Sequence, residues 1–201
     1  MKKVLALAAL LAVFSLPALA QGALDESTPK FEVGGGYAFR MWNIPASDGS
    51  PSTRWNMNGW DANADYNVAN YLGVAFDASG TYNFGGVQNG NQDIYTFMVG
   101  PQLYPMGHHK LTPFVHAMGG LGRYTLYLPP DPALEEGSFS YSQNRLALSF
   151  GGGIDYEVTH HVTVRVAQVD YERVLFTIEQ DLPAQNNFVF RAGVEFHFGG
   201  R

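Results

Sequence analysis

The feature that most limits what this chain can become is an alternation of period two. Residues 188–198, FVFRAGVEFHF, show it most plainly. Phe188, Phe190, Ala192, Val194, Phe196 and Phe198 form one set, and Val189, Arg191, Gly193, Glu195 and His197 form the other. Successive side chains of a β-strand point to opposite faces, so this segment reads as a strand with one apolar and one polar face. Seven further segments carry the pattern: residues 31–41, 55–66, 71–82, 92–104, 112–127, 141–157 and 162–171. In the third, Leu72, Val74, Phe76 and Ala78 oppose Gly73, Ala75, Asp77 and Ser79. In the sixth, Leu146, Leu148, Phe150 and Ile154 oppose Arg145, Ala147, Ser149, Gly151 and Asp155. In the seventh, Val162, Val164 and Val166 oppose Thr163, Arg165 and Ala167 until the alternation slips near Gln168, which predicts a β-bulge there. No helical period of 3.6 follows residue 20.

The connections alternate in length. Residues 67–70, 105–110 and 158–161 are short turns, whereas 42–54, 83–91, 128–140 and 172–186 are long and rich in Pro, Gly, Asn, Asp and Ser. Eight similar strands joined by alternating short and long links give an all-β fold, an eight-stranded antiparallel up-and-down barrel.

Residues 1–20 stand apart. Lys2 and Lys3 precede an apolar run from Val4 to Leu16, and Pro17 is followed by Ala18, Leu19 and Ala20. This is the layout of a secretory signal peptide cleaved after Ala20, leaving residues 21–201 as the barrel domain. The sequence has no cysteine, so stability must come from burial and hydrogen bonding although the chain is exported. Without Lys2 and Lys3, 10 basic residues face 18 acidic ones, and this balance argues against nucleic acid as a partner. Lys30 and Lys110 are then the only lysines, an odd surface for a protein bathed in water.

Periodicity does not say which face looks outward. A soluble barrel of the lipocalin kind buries its apolar set, and a membrane barrel turns that set to lipid. Three features favour lipid. The polar set is dense in glycine (Gly34, Gly36, Gly59, Gly73, Gly100, Gly120, Gly122, Gly151, Gly153, Gly193), which weakens an exposed strand but makes room inside a narrow lumen. The same set mixes Arg40, Arg145, Arg165 and Arg191 with Glu32, Asp61, Asp65, Asp77, Asp155 and Glu195 and contains no lysine, as suits paired, enclosed sites. Aromatic residues gather toward strand ends (Trp42, Trp55, Tyr66, Tyr71, Tyr82, Tyr104, Tyr127, Tyr141, Tyr156, Phe198), where interfacial girdles would lie.

With these residues in view, the sequence resembles the small eight-stranded outer-membrane barrels of the OmpA/OmpX type. The most specific match is Arg191-Ala192-Gly193-Val194-Glu195-Phe196-His197-Phe198, which fits the family's terminal polar–x–Gly–x–x–aromatic–x–aromatic strand; Gly199, Gly200 and Arg201 then follow where the family often ends on the aromatic. The resemblance implies a transmembrane barrel in the outer membrane of a double-membraned bacterium, monomeric and surrounded by outer-membrane lipid. It also implies recognition by the barrel-assembly machinery through Arg191, Gly193, Phe196 and Phe198.

Candidate chemistry centres on the lumen. An ionic network linking Arg145, Arg165 and Arg191 with Asp61, Asp77, Asp155 and Glu195 is expected to plug it, because buried ions must pair or bear a desolvation cost of several kcal/mol each. A narrow pore is the alternative. Two histidine pairs, His108-His109 and His160-His161, fall in short turns of neighbouring hairpins. Adjacent side chains in strands point apart, so no metal site is assigned to them. No cofactor and no catalytic residue is assigned either. Some barrels of this size modify lipid A, but His116 has no serine at a matching spacing, and Gly34-Gly35-Gly36 and Gly151-Gly152-Gly153 lie within strands with no helix following. The expected role is structural or interactive, with any extracellular ligand met by loops such as residues 128–137, LPPDPALEEG, or 172–185, which carry Leu175, Phe176 and Ile178.

Overall fold

The computed structural model describes residues 28–44, 53–84, 90–130, 137–175 and 185–199. The proposed signal peptide and the tips of the long loops, including Phe176 and Ile178, lie outside them. Eight strands are formed: β1 Phe31–Ile44, β2 Thr53–Ala69, β3 Leu72–Asn83, β4 Asn91–Leu103, β5 Leu111–Leu128, β6 Phe139–Thr159, β7 Val162–Val174 and β8 Gln185–Phe198. Each pairs antiparallel with its sequence neighbours, and β1 pairs with β8 from Phe31↔Phe198 to Met41↔Phe188, closing the barrel. Closure leaves no unpaired edge, which a sheet in hydrocarbon requires.

The strands run 12 to 21 residues, longer than the roughly 9–11 that cross a bilayer. The surplus stands at the outer end. Ser140, Tyr141, Ser142 and Asn144 of β6 are all exposed, so the alternation of burial is lost there and the β5–β6 hairpin rises clear of the membrane.

The exterior is apolar. Val33, Val74, Phe76, Phe97, Val99, Leu121, Leu146, Leu148, Phe150, Val169 and Phe190 all point out. Among the described residues, buried side chains are mostly polar or charged, the inverse of a water-soluble domain. Eight of the apolar buried residues form two small groups: Ala75, Met98, Met118, Ala147 and Val174 along the β3–β7 wall, and Trp42, Met57 and Ile94 at the outer end, with Tyr124 packed on both.

Most predicted girdle aromatics do face outward; Tyr66, Tyr71, Tyr127, Tyr141, Tyr156 and Phe198 are exposed. Two do not. Trp42 is 4% exposed and Tyr104 2%, each on the inward parity of its strand. Trp42 packs on Tyr124 with ring centroids 5.4 Å apart, and the Tyr104 hydroxyl accepts a hydrogen bond from Gln102 Nε2 at 2.8 Å. Position near a strand end did not override parity.

The predicted bulge is present. The β7–β8 register shifts between Arg165 and Gln168, and Val166 and Ala167 both face outward. Ala167 therefore leaves the inner set to which strict alternation assigned it. Beyond the bulge the inward positions become Gln168, Asp170, Glu172 and Val174.

Candidate functional site: the filled lumen and its inner mouth

Three buried arginines organise the lumen. Arg165 on β7 forms a two-pronged bond to Asp155 on β6, Nε to Oδ1 and Nη2 to Oδ2, both at 3.0 Å. It also pairs with Glu195 on β8, donates from Nη1 to Gln168 Oε1 at 3.0 Å, and stacks over the Phe114 ring at 4.4 Å. Gln168 passes the connection on, donating to Asp170 Oδ2 at 2.8 Å. The other oxygen of Asp170 meets His116 Nε2 at 2.8 Å. Arg191 on β8 pairs with Asp170, with Glu172 Oε1 at 2.9 Å and with Asp77 Oδ1 at 3.2 Å. Arg40 on β1 pairs with Glu172 and donates from Nε to Thr81 Oγ1 at 3.0 Å. The chain of contacts thus runs Arg40, Glu172, Arg191, Asp170, Gln168, Arg165 and Asp155 along the β6–β7–β8–β1 wall, and it crosses the lumen where Arg191 meets Asp77 on β3 and Arg165 approaches Asp65 on β2 at 3.9 Å.

Missing side chains make that crossing fit. A Cβ at Gly34 would lie 2.7 Å from both Asn63 Oδ1 and Glu195 Cγ, so glycine there leaves space for Asn63 Nδ2 to donate to Glu195 Oε1 at 2.7 Å. Gly151 does the same for Asp170, whose carboxylate occupies the place a Cβ would take.

A model of the outer membrane protein beta-barrel domain matches residues 6–196. The chain belongs to that family. Its place is accordingly the outer membrane of a Gram-negative envelope. Solved barrels with the same fold include Neisserial surface protein A, 19% identical with a TM-score of 0.64 over 84% of this chain and 97% of that one. The attachment invasion locus protein Ail of Yersinia pestis is 17% identical with a TM-score of 0.56 over 85% and 99%. OprG from Pseudomonas aeruginosa is 17% identical with a TM-score of 0.52 over 87% and 99%. No curated protein sequence matches this chain.

Within this outer-membrane barrel, Arg165, Arg191, Asp77, Asp155 and Glu195 come together as the sequence suggested. Asp61 is buried at 6% exposure in the same interior. Arg145 sits nearer the outer end, half-buried, with Nη1 donating to the Asn144 carbonyl at 3.1 Å; the described ion pairs use Arg40 as their third arginine. Asp170 and Glu172 are central to the network and were not anticipated. Glu172 had been assigned to the outer loop, but β7 continues to Val174 and the side chain is fully buried. The signal was available: carrying the slip at Gln168 forward by one residue turns both acids inward.

The inner end of the barrel, where the short turns lie, opens into a cavity of about 420 Å³. His108, His109, His160, His161 and His197 line it together with Glu32, Asp155 and Glu157. Both histidine pairs of the short turns therefore meet at one mouth. Glu32 stands at its floor, 4% exposed, with Oε1 3.3 Å from His108 Nε2 and Oε2 3.1 Å from His197 Nε2.

Proposed function

We propose that this protein is a closed-lumen barrel that supports the outer membrane and meets extracellular partners through its long loops, and that it does not conduct. The observation that carries this reading is the ionic network that lines the β6–β7–β8–β1 wall and reaches across to Asp77 on β3 and Asp65 on β2. Eight strands enclose a lumen that side chains just fill, and here those side chains are tied to one another across it. Ions of either sign would have to break buried pairs in order to pass.

A ligand-binding role has support from a neighbour: Ail, similar in fold to this chain, has been solved in complex with the heparin analogue sucrose octasulfate. The long loops here are acidic in part, with Asp131, Glu135 and Glu136 in residues 128–137, so a cationic partner suits them better than a polyanion. Export by residues 1–20, a monomeric state, and recognition of Arg191, Gly193, Phe196 and Phe198 by the barrel-assembly machinery belong to the same proposal. No catalytic role is assigned; His116 is engaged by Asp170 inside the network.

The test is electrical. Purified barrel inserted in planar bilayers should give no steady open-channel current, and removal of residues 129–137 should leave folding intact while abolishing loop-dependent binding to cells. A persistent current that scales with salt would overturn the closed-lumen reading.

A further inference from the structure

The geometry points to a divalent metal site of the Zn²⁺ class at the inner mouth, formed by Glu32, Glu195 and His197, with His108 beside it. Glu32 lies on β1, His197 and Glu195 on β8, and His108 in the β4–β5 turn.

The contact between Glu32 and His108 is not a hydrogen bond from a neutral imidazole to a carboxylate. His108 Nδ1 lies 2.9 Å from the Asn70 carbonyl oxygen, an atom that only accepts, so Nδ1 carries the proton. In the neutral ring Nε2 then presents a lone pair, and it presents it to a carboxylate oxygen 3.3 Å away. Two lone pairs at that distance require a proton between them, on the ring or on the carboxyl, or the field of a cation bound to Glu32.

The spacing suits a metal. Bonds of ~2.0–2.1 Å set tetrahedrally around Zn²⁺ place neighbouring ligand atoms about 3.3 Å apart. Glu32 Oε2 lies 3.1 Å from His197 Nε2. Ligand atoms of Glu32, Glu195 and His197 all lie within 4.8 Å of one another. Of these residues, His197 Nε2 and Glu195 Oε2 are buried without a hydrogen-bond partner among the described residues. Glu195 is 1% exposed, and its other oxygen is already held by Asn63 and Arg165. Asn67 Nδ2 donates to Glu32 Oε1 at 2.6 Å and steadies that carboxylate from outside the cluster.

Charge points the same way. Among the described residues the buried carboxylates are Glu32, Asp61, Asp65, Asp77, Asp155, Asp170, Glu172 and Glu195, against the fully buried cations Arg40, Arg165 and Arg191. A bound divalent ion would reduce that excess at its periplasmic end, with the cavity of about 420 Å³ as the entry path. Two carboxylates and one imidazole, with a fourth position left to water, are a donor set suited to Zn²⁺, with Cu²⁺ the strongest competitor.

Folded full-length protein in detergent micelles, stripped with a chelator, is titrated with ZnCl₂ by calorimetry. One saturable site per chain is expected, with a rise in unfolding temperature that chelator reverses. Glu32→Gln and His197→Ala should each weaken binding at least about tenfold. The double variant His160→Ala/His161→Ala, which alters the outer rim of the cavity only, should bind as the wild type does. Absence of a saturable site in the folded wild type would overturn the proposal; the Glu32–His108 contact would then be held by a proton alone. Loss of binding in the rim variant with retention in Glu32→Gln would overturn it equally. Where a variant does not fold, as judged by heat-modifiable electrophoretic mobility, Co²⁺ in the wild type decides. Intense tetrahedral ligand-field absorption supports the site, and the weak absorption of hydrated octahedral Co²⁺ overturns it.

Discussion

The middle of the lumen and its outer end are both buried inside one barrel, yet they are filled by opposite chemistry. The middle holds Arg165, Arg191 and Arg40 among carboxylates. The outer end holds Trp42, Met57 and Ile94, with Tyr124 against them. An apolar filling is tolerant, since a lost methylene leaves a gap that neighbours partly close. An ionic filling is not, since a lost partner leaves a charge stranded away from water. The barrel therefore joins a forgiving cap to an unforgiving centre, and the two should respond differently to the same kind of truncation.

The largest expected effect is at Arg191. Arg191→Met strips the cation from Asp77, Asp170 and Glu172 together, and urea unfolding in lipid vesicles should register a loss of about 3–5 kcal/mol. Adding Glu172→Gln and Asp170→Asn should recover part of it. In the cap, Met57→Ala removes a fully buried side chain from between Trp42 and Ile94. The same assay should show about 2 kcal/mol, toward the low end for such changes because flexible neighbours can settle. Equal losses at the two positions would dissolve the distinction between centre and cap. The smallest effect belongs to their border with the inner mouth: Phe114→Leu stays apolar, gives up part of the volume and removes the aromatic face beneath Arg165, for about 1 kcal/mol by the same measurement. A loss several times larger would mean that the ring positions the Arg165–Asp155 fork and does more than solvate it.

Much of this was legible in the sequence because a barrel has one geometric rule, and alternation states it. Parity put Arg165, Asp155 and Glu195 on one face, and the glycines, the missing lysines and the strand-end aromatics made that face the inner one. What escaped was of two kinds. Parity is local, so a single extra residue at the bulge inverted everything after it and hid Asp170 and Glu172. Contacts across the lumen are global. Nothing in the separation of Glu32 from His108 and His197 along the chain announces that one carboxylate lies between two imidazoles; that follows only from closure, which brings β1 and β8 side by side and the β4–β5 turn beneath them. Trp42 and Tyr104 show a milder failure, in which residue type was allowed to outvote parity.

The seam between first and last strands carries one more consequence. Arg40 and Arg191 sit on the two strands that meet there, and both reach Glu172 on β7. Until β8 docks, Asp77, Asp170 and Glu172 all wait for Arg191. The final zippering of the cylinder and the neutralisation of its interior are then a single event. A half-built ring would hold a repelling cluster of acids, which biases the chain against lingering open.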